Sequence, residues 1–171
     1  VFNPYTSHTE TDYAKVIDIT TSTSGLASSL VDNPSGTENL VMSFKIDAGG
    51  SGESLKRLWI KNNGTAQEGS DIPESGIILY YEDASVSMTY DGTETNSHTL
   101  DDYNNNSTSS DELWGDDRID IVIPSGGLMC HLVVTDLVDG FNAAHTVNFA
   151  LVEDGMNLTN GLVRIDETVS G

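Results

Sequence analysis

Apolar residues recur at every second position through most of this chain, which is the pattern of β-strands that bury one face. Clusters of glycine, asparagine and aspartate separate the alternating runs and favour turns. About eight to ten strands of this kind predict an all-β fold, an antiparallel two-layer β-sandwich with immunoglobulin-like or jelly-roll-like topology. The rows expected to face one shared core are Leu40/Met42/Phe44/Ile46, Ile119/Ile121/Ile123, Leu128/Cys130/Leu132/Val134 and Val147/Phe149/Leu151.

The remaining segments differ in how clearly they alternate. Residues 76–81 are apolar on both faces, which predicts a central strand. Val86, Met88 and Tyr90 alternate again before a turn, and Val163 with Ile165 predicts a last short strand. Between residues 93 and 117 the chain is polar and has no period, and this predicts a long surface loop.

Length and cysteine content limit the number of domains and of disulfides. The chain has 171 residues, of which 37% are hydrophobic, enough to fill one core. We therefore expect a single sandwich domain over residues 13–171, preceded by an extended tail, residues 1–12. Cys130 is the only cysteine, so no disulfide can form within the chain, and its apolar neighbours predict a buried, unreactive thiol. The four histidines show no spacing typical of a zinc site or a catalytic dyad.

Several features indicate export from the cell. The first residue is Val1, no apolar run is long enough to span a membrane, and Asn-x-Ser/Thr sequons are present. We expect an extracellular or cell-surface protein whose leader has been removed, with no membrane insertion. The sequons begin at Asn63, Asn105, Asn106 and Asn157, all in predicted turns where a glycan would be accessible. Asn63, Asn106 and Asn157 are the expected glycosylation sites.

The charge balance narrows the classes of partner. Lys and Arg number 7 against 27 Asp and Glu, a formal net charge of −20. Nucleic acids and anionic membrane surfaces need a basic face, so both are excluded as partners. Self-repulsion of this size has to be balanced from outside the chain. High salt, bound Ca²⁺ or a neighbouring subunit can do so.

A candidate calcium site lies within the polar segment. Ca²⁺ takes six to eight oxygen ligands, and carboxylates are dense here. The expected ligands are Asp101, Asp102, Asp111, Asp116 and Asp117. A second group of acidic residues outside this segment is Asp71, Glu82 and Asp83. No Asp-x-Asp-x-Asp-Gly loop is present, so a solvated acidic surface adapted to a saline habitat is the alternative explanation of the same residues.

Two groups of short motifs carry a resemblance to a known kind of module. The segments are 55–66 (LKRLWIKNNGTA), 70–72 (SDI), 78–83 (ILYYED), 122–127 (VIPSGG), 132–137 (LVVTDL) and 145–149 (HTVNF). Over roughly residues 38–153 this pattern resembles immunoglobulin-like β-sandwich modules of bacterial and archaeal cell-surface, surface-layer and fibre proteins. The resemblance implies a sandwich and an extracellular setting, and it implies no chemistry.

The tail suggests a means of assembly. Residues 1–12 have too little apolar content to contribute to a core, yet they suit an extended strand that is added to the sheet edge of another molecule. The residues expected to dock are Phe2, Tyr5, Thr6, Ser7 and Thr9. The function we expect is therefore a structural subunit of an extracellular filament or cell-surface sheath, a homopolymer of copies of itself.

The sequence has no recognisable catalytic motif, but it has two tryptophans that suit a binding function. There is no Gly-x-Ser-x-Gly elbow, phosphate-binding glycine loop or metalloprotease motif, so we expect no enzyme. The alternative function is a secreted carbohydrate-binding or adhesin module, since sugar sites stack the ring on an exposed aromatic. Trp59 lies out of phase with its inward neighbours, and Trp114 ends the polar segment. Both tryptophans could equally cover the edge of the sandwich.

Overall fold

The structure is a computed structural model, and it describes residues 18–22, 38–47, 52–73, 75–85, 89–102, 113–116, 118–135, 137–138, 142, 144–158 and 161–162. Within them the chain forms only strands and irregular connections. The strands are β1 (Asp18–Ser22), β2 (Asn39–Asp47), β3 (Ser54–Asn62), β4 (Ile77–Asp83), β5 (Ser97–Asp102), β6 (Leu113–Asp116), β7 (Ile121–Val122), β8 (Leu128–Val134), β9 (Phe149–Leu158) and β10 (Gly161–Leu162).

The strands form two antiparallel sheets packed as a sandwich, which confirms the predicted fold class. The first sheet has the order β1-β2-β8-β4, and the second has the order β6-β3-β9-β10 with β7 also beside β3. Strand β5 links them, because residues 97–100 pair with β4 and residues 101–102 pair with β6. The sandwich is thus joined along one side, and β1 and β10 end the strand order.

The core lies between the two sheets and contains most of the predicted inward rows. Phe44, Ile46 and the alternate residues of β8 from Leu128 to Val134 are buried, as are Ile119, Ile121 and Ile123. Met42 is half-buried and packs against this core, whereas Leu40 is buried outside the core cluster, because the pairing of β2 with β8 shifts register between Leu40 and Met42 and places Leu40 opposite Val133. Val147, Phe149 and Leu151 are partly buried and pack against this core.

The Cys130 thiol is fully buried within that core, as the alternation of its neighbours predicts. Burial raises the pKa of this thiol far above its ordinary value, because a thiolate there would have no solvation. Residues 76–81 also behave as predicted. Strand β4 lies between β8 and β5, and Ile77 and Leu79 are buried.

Some of the sequence-based predictions were wrong. The segment 93–117 is not one loop, because it contains β5 and β6. Polar side chains dominate β5, and Leu100 alone among its described side chains is buried, so no hydrophobic period marks this strand. Asn157 lies within β9 and pairs with both neighbouring strands instead of sitting in a turn. Tyr90 lies outside any strand.

Other predictions fall on parts of the chain that the structure does not describe. The tail with Phe2, Tyr5, Thr6, Ser7 and Thr9 is one, and with it the boundary at residue 13. Val86, Met88, Val163 and Ile165 are likewise outside the described residues.

Candidate functional site

A row of polar side chains crosses the outer face of the first sheet, on the side away from the core. Ser43 of β2 is in register with His131 of β8, which is in register with Tyr80 of β4. The alternation of each strand that sends Phe44, Cys130 and Leu79 into the core sends these three residues outward. Ser43 Oγ and His131 Nδ1 are 2.8 Å apart and share a hydrogen bond.

The connection between β4 and β5 covers this row. Its described residues 89–96 bring Tyr90 against His131, with ring centroids 5.6 Å apart, and against Tyr80 at 5.7 Å. The hydroxyls of Tyr80 and Tyr90 both donate to the Glu38 carboxylate, Tyr80 at 2.5 Å. The cover leaves His131 with no exposed surface although it lies on an outer face.

Two more carboxylates complete what we call the outer-face cluster, the set Glu82, Glu94 and His131. Glu82 lies on the same face of β4 as Tyr80, and its Oε1 is 4.0 Å from His131 Nε2. Glu94 comes from the covering connection. One ligand atom from each of the three residues lies within 4.8 Å of the other two. The fold thus collects one imidazole and two carboxylates from three chain segments.

Burial and charge set the protonation of this region. Desolvation lowers the pKa of His131, and the negative charge of Glu94 opposes that effect only in part. Hydrogen bonding to Glu38, followed by burial and the charges of Glu38 and Glu94, raises the pKa of Tyr80 to about 12. His131 is therefore neutral at pH 7, and each of its ring nitrogens can either donate or accept.

The same groups do not form a usable nucleophilic triad. Ser43 and His131 are hydrogen-bonded, but Ser43 is 2% exposed and His131 is 0% exposed, so no substrate carbonyl can reach the hydroxyl. The 4.0 Å between Glu82 and His131 is also too long for an orienting hydrogen bond. A neutral imidazole beside two carboxylates is instead a typical donor set for a metal ion.

A second polar cluster joins two loops at one end of the sandwich. The Asp71 carboxylate accepts hydrogen bonds from the backbone N–H of Gln67 at 2.7 Å and of Asn142 at 2.9 Å, and it contacts His145 Nδ1 at 2.7 Å. The other ring nitrogen of His145 is 2.9 Å from the Asn142 side chain. Every polar atom of this arrangement is engaged in holding the loops together, so we assign it a structural role.

We expect Asp71→Asn to lower the free energy of unfolding by about 1–3 kcal/mol at pH 7, because the amide nitrogen of this buried side chain would face hydrogen-bond donors. Burial by itself would raise the pKa of Asp71, but the hydrogen bonds from His145, Gln67 and Asn142 outweigh it and hold the pKa below 3.8. The stabilisation is therefore present above pH 3.8 and is lost as the pH falls further. Urea unfolding at pH 7 and at pH 3 measures both effects.

The exposed Asp120 provides the control, since Asp120→Asn changes a surface ion pair with Lys56 and a side-chain hydrogen bond with Ser54. We expect the difference in stability between Asp71→Asn and the parent chain to shrink at pH 3. Equal stability of Asp71→Asn and Asp120→Asn at pH 7 would contradict the structural role of Asp71.

The residues predicted to bind calcium are only partly described. Asp116 lies on β6, where its carboxylate contacts His98 Nε2 at 2.8 Å and accepts the backbone N–H of Arg118 at 2.7 Å. Burial would raise the pKa of Asp116, but these two partners hold it below its ordinary value. The backbones of Asp101 and Asp102 pair with β6 next to Asp116. Asp111 and Asp117 lie outside the described residues.

The structure also gives the position of most residues predicted to carry glycans or to bind sugars. Asn63 is exposed in the turn after β3, whereas Asn157 lies in β9 and Asn106 is outside the described residues. Trp114 is fully buried and packs edge-on against Phe149, so it is not a surface platform. Trp59 is half-buried, and the Arg57 guanidinium lies 4.6 Å from its ring centroid.

Sequence analysis missed the outer-face cluster. Glu82, Glu94 and His131 are separated by 12 to 49 positions, and only the pairing of β4 with β8 brings the first and last of them together. One signal was available. His131 is a polar residue at the outward position of a strand that is otherwise apolar on both faces, Leu128–Val134.

Comparison with known proteins gave no relative: no family model, no curated protein and no solved structure matches the chain significantly. In the described part of the chain, no helix has the length and apolarity needed to cross a bilayer.

Proposed function

We propose that this chain is a structural subunit of an extracellular filament or cell-surface sheath, in which residues 1–12 of one copy add as a strand to a sheet edge of the next. The finer likeness to immunoglobulin-like surface and fibre modules belongs to this proposal. So does the extracellular location, with glycans on exposed sequons such as Asn63. The partners are copies of the chain itself.

The observation that carries the proposal is the asymmetry of the sandwich. One side is joined by β5, and the strand order ends in β1 and β10. Among the described residues, strand β10 pairs with Asn157 and Leu158 alone. Within the described residues, the edge of β9 opposite β3 therefore has no strand along residues 149–156. Strand β9 shifts register against β3 between Leu151 and Met156, so the regular part of this edge begins at residue 149 and ends at residue 151. Such an edge is where an incoming strand can add through backbone hydrogen bonds.

Side chains near that edge fit an added strand as well. Val147, Phe149 and Leu151 are only partly buried although they pack against the core, so a further strand would complete their burial. The chain's own residues 163–171, which follow β10, are the competing occupant. A neighbour's tail makes a heterologous contact, and such a contact propagates as a helical filament instead of closing a dimer.

The net charge of −20 is compatible with assembly only where counterions screen it. Salt or Ca²⁺ should therefore promote association. We expect equal responses to Ca²⁺ and Mg²⁺ at matched ionic strength if general screening acts, and a response to Ca²⁺ alone if specific acidic sites act.

Deleting residues 1–12 tests the proposal. We expect the shortened chain to stay monomeric at concentrations where the parent assembles, and to unfold at an unchanged temperature, as measured by light scattering and thermal melting. Phe2→Ser with Tyr5→Ser should reproduce the deletion, and Thr11→Ser, outside the expected docking residues, should not. Assembly of the shortened chain would contradict tail exchange, and assembly that appears only after residues 163–171 are deleted would assign the edge to those residues instead.

A carbohydrate-binding or adhesin module is the second candidate, and the partly exposed Trp59 is the observation that favours it. Its indole beside Arg57 could stack against a sugar ring. A saturable change in tryptophan fluorescence with glycans, absent from Trp59→Phe and seen in a chain that stays monomeric, would support this candidate over the filament.

A further inference from the structure

His131 has a buried ring nitrogen that no protein group in the described structure satisfies. Its Nδ1 shares the hydrogen bond with Ser43, while Nε2 is buried and has no hydrogen-bond partner among the described residues. A second such atom is Glu94 Oε2, whose companion oxygen accepts from the Asp91 backbone. Buried polar atoms nearly always have a partner, so two such atoms in one cluster indicate a site that binds a polar group or an ion.

The spacing of the outer-face cluster suits a single metal ion. Three ligand atoms that lie within 4.8 Å of one another place a central ion at most about 2.8 Å from each. Zinc bonds nitrogen and carboxylate oxygen at about 2.0–2.2 Å, so the ligands need to close by only about 0.7 Å. Rotation of the two glutamate side chains, neither of which is fully buried, can supply that movement.

We propose that Glu82, Glu94 and His131 bind one divalent transition-metal ion of the zinc class. The imidazole ligand distinguishes this ion from Ca²⁺ and Mg²⁺, which select oxygen donors. Ser43 acts as the positioning residue, because its hydrogen bond with Nδ1 orients the ring, and when the Ser43 hydroxyl accepts from Nδ1–H the lone pair of Nε2 is free for the metal. Two carboxylates and a neutral imidazole balance the charge of the ion, in a chain that has a large excess of acid.

The expected consequence is a link between three parts of the chain. Glu82 lies on β4, His131 on β8, and Glu94 on the connection that covers them. A bound ion would fasten this connection to the outer face of the first sheet, and it would stabilise the folded chain without any part in tail exchange.

Calorimetric titration of the chain with Zn²⁺ at neutral pH tests the proposal. We expect one ion per chain and a rise in melting temperature. His131→Gln and Glu94→Gln should each weaken binding at least about 10-fold, and Ser43→Ala by about 10-fold or more through loss of ring orientation. His98→Gln is the matched control, since His98 also contacts a carboxylate but lies outside the cluster. It should bind Zn²⁺ as the parent does.

Glu94→Gln should fold even if His131→Gln does not, because Glu94 lies on a connection and not on a core strand. Its binding result therefore tests the proposal independently of misfolding. The proposal is overturned if the parent chain does not bind Zn²⁺, if His131→Gln and Glu94→Gln both bind it as tightly as His98→Gln, or if Ca²⁺ at equal concentration displaces it. Filament formation is a separate readout, so failure of either proposal leaves the other open to its own test.

Discussion

Replacing Trp114 with alanine should lower the free energy of unfolding by about 3–5 kcal/mol, the range for removing a large aromatic from a packed core. Trp114 is the largest of the fully buried side chains, and its ring stands edge-on to Phe149 at 5.7 Å. It lies on β6, and the pairing of β5 with β6 connects β5 to the second sheet. The cavity would therefore open where the two sheets meet. Urea denaturation at pH 7, followed by circular dichroism, measures the loss.

Two further variants make this prediction specific. Trp114→Phe keeps most of the apolar volume and removes the indole N–H, which is buried and has no hydrogen-bond partner among the described residues. Its cost should therefore be clearly smaller than that of alanine. Val122→Ala, at a side chain that is 64% exposed, should change the free energy of unfolding by less than about 0.5 kcal/mol. Similar losses in Trp114→Ala and Val122→Ala would contradict this packing.

Gly115→Ala should destabilise the same strand pair by about 1–3 kcal/mol or more, because a β-carbon there has no room. It would lie 2.2 Å from the Trp59 side chain and 2.5 Å from the Leu58 carbonyl oxygen. Gly115 is opposite Trp59 in the register of β6 with β3, so the indole fills the space that the glycine leaves. The residue is required by close approach of the two strands.

Gly126→Ala is a suitable comparison. Its added β-carbon would be 3.0 Å from an Asp83 carboxylate oxygen and from the Ser85 β-carbon, which is a milder overlap than at Gly115 because no backbone atom lies nearer than 3.4 Å. We expect a smaller loss in the same urea experiment. If Gly115→Ala were as stable as Gly126→Ala, the pairing of β3 with β6 would differ from the structure described above.

The sequence predicts the parts of this fold in which one face of a strand is apolar and the other is not. Phe44 with Ile46 and the row Ile119/Ile121/Ile123 are such cases, and they define the core correctly. Strand β5 was not predicted because its side chains, such as His98 and Thr99, are mostly polar. It joins the two sheets through backbone pairing, which leaves no hydrophobic period in the sequence. The order of the strands in the sheets was not predicted either, since periodicity identifies a strand but does not show which strands pair with it.

The outer-face cluster could not be predicted for a related reason. Its members meet because β4 and β8 pair in one register and because the connection after β4 turns back over them. A shift of one residue would send His131 to the core side of the sheet. The sequence places Glu82 in an acidic group with Asp71 and Asp83, but acidic residues are so common here that composition could not single out Glu94 or bring either glutamate to His131.

Negative-stain electron microscopy of the 171-residue chain, concentrated in high salt or with Ca²⁺, tests the filament proposal most directly. We expect helical filaments of uniform width, formed by the parent chain and absent from the chain that begins at residue 13. Single particles of one sandwich under every condition, or closed dimers with two-fold symmetry, would contradict the proposed function.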